Sequence, residues 1–66
     1  MAEKWHPQPI EVYQSWISAI IDEASDELTP WESKFIESID EQLAQHRNLS
    51  EKQAEILERI YANKTK

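Results

Sequence analysis

Apolar residues recur at helical spacing in three blocks, and two capping signals separate them. The first block holds Ile10, Val12, Tyr13, Trp16, Ile17, Ala19, Ile20, Ile21 and Ala24, with Leu28 at its edge. Plotted at 100° per residue these cover an arc of about 200°, twice the usual core-facing stripe. Glu11, Gln14, Ser15, Ser18, Asp22 and Ser25 occupy the opposite face. The pattern predicts a helix over about 9–27, with Pro9 at the tolerated first position. So wide an arc must meet two neighbours, or one neighbour and another molecule.

The second block opens with Thr29-Pro30-Trp31-Glu32. Thr29 as cap, Pro at the first helical position and Glu three residues after the cap form a capping box. Trp31, Phe35, Ile39 and Leu43 then recur every four residues beside Ile36, which predicts one apolar face on a helix over 30–46. His46 falls in its last turn, near the apolar side, where an imidazole suits the helix dipole. Asn48 is the nearby residue expected to take the left-handed terminating conformation. A second capping box follows, with Ser50 as cap and Gln53 three residues on. Ala54, Ile56, Leu57, Ile60 and Tyr61 give the third helix, 51–63, its inner face, and Glu55 and Arg59 pair at i, i+4.

No stretch alternates with period two, so the fold class is all-α. Two short connections imply antiparallel neighbours and an up-down-up three-helix bundle. Residues 1–8 read as an irregular arm and 9–66 as a single helical domain. The first and third helices then run parallel, with their C-terminal ends at one pole.

That topology bears on charge. Asp22, Glu23, Asp26 and Glu27 gather where the first helix ends, and a helix C-terminus is already negative. The formal net charge is −6. It divides into −8 over residues 1–46 and +2 over residues 47–66. Arg59, Lys64 and Lys66 are therefore expected near the acidic cluster, with the positive N-terminus of the second helix beside it. An acidic body disfavours nonspecific nucleic-acid binding and favours basic partners.

The remaining chemistry narrows by subtraction. With no cysteine, disulfides and thiolate metal sites are excluded. With no glycine, phosphate-cradling loops and tight primed hairpins have no natural place. The acidic cluster lacks the twelve-residue loop and glycine of a calcium hand, and its i, i+4 like-charge pairs suit a solvated surface, so no metal is expected. His6 and His46 are far apart, and no strand-turn-helix elbow presents a nucleophile. No catalytic residue and no cofactor are expected. A DNA-reading helix-turn-helix is disfavoured because Glu51, Glu55 and Glu58 stand where recognition helices carry Arg, Lys, Asn or Gln. No apolar run is long enough for a membrane span or a signal-peptide core, so the chain reads as soluble and cytoplasmic. Trp5, held before two prolines in extended backbone, either folds back over one end of the bundle or joins Tyr13 and Trp16 in an exposed patch.

Residues 28–64, with Trp31-Glu32, Phe35, Ser38 and Gln42, then Leu49-Ser50-Glu51-Lys52-Gln53, Leu57 and Ile60-Tyr61, resemble a short helical segment of phage, prophage and plasmid proteins. Such segments are often appended to DNA-metabolism enzymes. They often carry Gly-Arg before the Leu-Ser pair, where this chain has Gln45-His46-Arg47-Asn48. The resemblance implies a noncatalytic accessory module and carries over no catalytic residue. The resulting expectation is a protein–protein interaction module whose partner-binding residues are Trp5, Trp16, Asp22, Glu23, Asp26 and Glu27. Its partner would present a basic surface, such as that of a DNA-metabolism protein. The alternatives are an acidic inhibitor or nucleic-acid mimic, and a homodimer built on the first helix.

Overall fold

A computed structural model describes residues 4–65. It contains α1 (Ile10–Ala24), a single 3-10 turn (Ser25–Glu27), α2 (Pro30–Ala44) and α3 (Glu51–Lys64), and no strand among the described residues. Each helix packs against the other two. Lys64 Nζ, at the end of α3, donates to the Glu27 carbonyl just beyond α1 at 3.1 Å. The ends of α1 and α3 therefore share a pole, and the order is up-down-up.

The core is one cluster to which all three helices contribute. Tyr13, Ile17 and Ile20 come from α1, Ile36, Ile39 and Leu43 from α2, and Ala54, Leu57 and Ile60 from α3. Leu49, immediately before the α3 cap, is buried with Ala54, four residues into the helix, in a hydrophobic-staple arrangement. Both capping boxes form. Thr29 and Glu32 exchange bonds of 2.9 and 3.1 Å, and Ser50 and Gln53 bonds of 3.0 and 3.2 Å.

The helix ends differ from the sequence reading in several places, and α3 runs one residue further than expected, to Lys64. Pro9 is the α1 cap rather than its first residue, with ψ 149° still extended. α1 stops at Ala24, where φ is −143°, and the chain tightens into the 3-10 turn instead of continuing to residue 27. Acidic residues crowd a helix end that has no basic residue in its last turn, so charge opposes further α-helical growth. Leu28 is extended and half-buried against the core, not helical. α2 ends at Ala44 rather than 46, and His46, not Asn48, is the left-handed residue, with φ 62°.

The α2 terminus explains that last difference. His46 N–H donates to the Leu43 carbonyl at 2.9 Å, and Arg47 N–H to the Gln42 carbonyl at 3.1 Å. These two bonds make a Schellman motif, which requires positive φ at the residue after the cap. His46 fills that position and is exposed, so it has no place on the apolar side of α2. Asn48 is committed elsewhere: its side chain accepts from Leu49 N–H at 2.7 Å and donates to the Gln8 carbonyl at 3.0 Å.

Two predictions follow from these local energies. His46→Gly removes the Cβ penalty of the left-handed conformation and should stabilise the fold by about 1 kcal/mol, raising the melting midpoint by about 4–8 °C in circular dichroism. Leu57 is fully buried. Leu57→Ala should cost about 2–5 kcal/mol in urea unfolding, most of the stability a domain this small possesses.

Candidate functional site

The six residues expected to bind a partner divide between two regions. Asp22 and Glu23 lie in the last turn of α1, Asp26 and Glu27 in the 3-10 turn, and all four are exposed. Trp5 and Trp16 instead line a cleft made by the N-terminal arm, α1 and α3.

At the acidic pole, Lys64 of the expected basic tail arrives but engages backbone. Lys64 reaches the Glu27 carbonyl, where a cation offsets the unsatisfied carbonyls of a helix end. Arg59 is exposed on α3. Lys66 lies outside the described residues. The N-terminus of α2, with its Thr29 cap, follows the cluster by two residues and adds positive potential.

Two large apolar side chains stand exposed at the same pole. Trp31 is 59% exposed and Ile21 48%. The expectation that Trp31 belongs to the inner face of α2 is thus corrected, and helix geometry gives the reason. A strict spacing of four advances about 40° per step around the axis. The ladder from Leu43 back through Ile39 and Phe35 therefore spirals out of the core and leaves Trp31 at its edge. Trp31 stacks on half-buried Phe35, with ring centroids 5.4 Å apart and planes inclined by 6°. On α1, Trp16 and Ile21 flank the buried stripe on opposite sides. Trp16 turns to α3 and stacks on Tyr61 at 5.2 Å, which leaves Ile21 on the flank away from α3. The drift of the four-residue ladder is visible in the sequence and could have marked Trp31 in advance.

At the other pole the arm is tied down twice. Gln8 N–H donates to the Tyr13 hydroxyl at 2.9 Å, and Asn48 holds the Gln8 carbonyl. This positions Trp5, 39% exposed, at the edge of a cleft of about 220 Å³. Trp16 lies edge-to-face with Tyr13 at 5.4 Å in the same region. The two alternatives for the aromatic arm therefore resolve into a mixture: Tyr13 is core, Trp16 is half-buried, and Trp5 is a partly exposed wall. Sequence reasoning missed the opposite wall, Glu51, Glu55 and Glu58, although its i, i+4, i+7 spacing marks one face of a helix.

Among the described residues, no group of three or more His, Asp or Glu is placed to hold a metal ion. No helix there is long and apolar enough to cross a membrane. No protein-family model, curated protein or solved structure matches the chain.

If Asp22 and Glu23 act mainly on the α1 dipole, Asp22→Asn with Glu23→Gln should raise stability by about 0.3–1 kcal/mol at low ionic strength. The gain should shrink in 1 M salt, where the screening length falls to about 3 Å. Urea titrations at the two salt concentrations measure it.

Proposed function

We propose that this protein is a noncatalytic protein–protein interaction module that docks through the pole where α1 meets α2. The observation that carries this reading is that Trp31 and Ile21 stand exposed at the end of the bundle that also carries four exposed carboxylates. A chain of 66 residues has little apolar surface to spare from its core. Leaving a tryptophan and an isoleucine in water forgoes stabilisation that a partner would restore. Buried aromatic anchors ringed by polar groups are the usual energetic centres of interfaces. Stacking on Phe35 limits the freedom of the Trp31 ring, so less entropy is lost when it docks.

The carboxylates Asp22, Glu23, Asp26 and Glu27 set the sign of the partner. They steer a basic surface towards the pole and add more to encounter rate than to final affinity. The resemblance of residues 28–64 to phage and plasmid helical segments supports a cytoplasmic accessory of a DNA-metabolism protein, phage or prophage in origin. The contact would be with that protein's basic surface rather than with its nucleic acid.

A tagged chain, used as bait in nuclease-treated bacterial lysate, tests the reading with bound proteins identified by mass spectrometry. A specific DNA-transaction protein should be retained and should persist at moderate salt. Trp31→Ala with Ile21→Ser should abolish capture while the helical fold persists in circular dichroism, because neither residue belongs to the buried core. Capture that collapses with salt and is displaced by DNA would point instead to a nucleic-acid mimic. Mass that rises with concentration in sedimentation, without other protein, would point to a homodimer.

A further inference from the structure

We propose that the cleft between the arm, α1 and α3 is a second recognition site, one that receives the arginine side chain of a basic segment in a protein partner. It lies at the pole where α1 and α3 begin, away from the Trp31 surface, and it stands independently of the docking reading above.

Three features of the lining select the ligand. Trp5 and Trp16 bring aromatic rings to the cleft. Tyr61 stacks on Trp16, so Trp5 is the indole assigned to the cation. Indole gives the strongest attraction among aromatic side chains for a cation over its face. Glu51, Glu55 and Glu58 set three carboxylates along one face of α3 opposite them. Glu51 suits the positive end of α3, whereas Glu55 and Glu58 lie beyond the first turn and repel each other at i, i+3. The lining holds these three carboxylates with His6 as its one basic side chain, so the wall carries a surplus of acidic groups.

Guanidinium matches this combination better than ammonium does. It is planar, stacks on aromatic faces and presents a fork of donors that carboxylates accept in pairs. The lining contains no Lys or Arg that would receive the carboxylate of free arginine. The source favoured is therefore a side chain within a polypeptide. The site is also largely preformed: the bonds of Gln8 to Tyr13 and Asn48 hold the arm in place before any ligand arrives. Buried Ala54, with its small side chain, leaves room at the cleft floor.

The test uses the full chain, labelled with ¹⁵N and titrated with an acetylated, amidated Gly-Gly-Arg-Gly-Gly peptide. Its lysine and citrulline counterparts serve as controls. Saturable shifts are expected at the Trp5 and Trp16 indole N–H groups and at residues 51–58, with lysine weaker and citrulline, which is neutral but nearly isosteric, inactive. Trp5→Ala leaves the core intact and should weaken binding roughly 2- to 30-fold, the span of a cation–π contact. Glu55→Gln with Glu58→Gln should weaken it further, and Trp5→Phe should restore part of the loss. Equal binding of citrulline would overturn the assignment. So would shifts spread over Asp22–Glu27, which would mark general attraction of cations to an acidic protein, or an unchanged affinity in Trp5→Ala.

Discussion

The Gln42–Gln53 pair holds together the end of the molecule on which the rest depends. Gln42 Nε2 donates to Gln53 Oε1 at 3.2 Å, and Gln53 Nε2 returns a bond to Gln42 Oε1 at 3.0 Å. Gln53 Oε1 is also the acceptor that completes the α3 capping box, and Gln42 Nε2 donates again to the Asn48 carbonyl at 2.8 Å. One pair of amides therefore joins the last turns of α2 to the first turn of α3 and fixes the connection between them. Asn48 extends the network to the arm through Gln8, which is bonded in turn to core Tyr13. A chain without glycine or disulfides has few other means of setting a turn. Here side-chain amides supply what backbone flexibility and covalent links supply elsewhere.

Because that end is locked and the core is full, the remaining apolar surface is placed rather than scattered. Every buried large side chain belongs to the single cluster between the helices, and no charged or polar residue is buried among the described residues. The charges are consequently all at the surface, where their energies with one another are small and screened. They contribute little to holding the fold and are free to act on other molecules. The two regions differ in kind. The α1–α2 pole carries exposed apolar side chains and exposed carboxylates. The arm cleft is concave and suited to receiving a side chain.

The fold class, the helix count, both capping boxes and the inward residues of α3 were legible because each rests on local rules: periodicity, caps and turn chemistry act within a few residues of sequence. The misses were of two kinds, local geometry that was overlooked and contacts that only the fold makes. The left-handed residue was assigned to Asn48 on intrinsic preference, yet the Schellman bonds required it at His46. Trp31 joined the inner face on spacing alone, while the rotation of that spacing carried it to solvent. The glutamates of the cleft were read only as a bar to DNA recognition, because only the folded arm brings Trp5 to the same cleft.

The sequence by itself thus determined what each segment becomes, since helix formation and capping are decided by neighbours along the chain. It also determined the sign of the surface, since charge is a property of composition. Tertiary structure alone decided which distant groups meet and which charges stand together. Lys64 meeting a carbonyl 37 residues away and Asn48 holding the arm 40 residues away depend on how three helices cross. Those crossings are fixed by close packing of the whole core, a collective condition that no single stretch of the chain can specify.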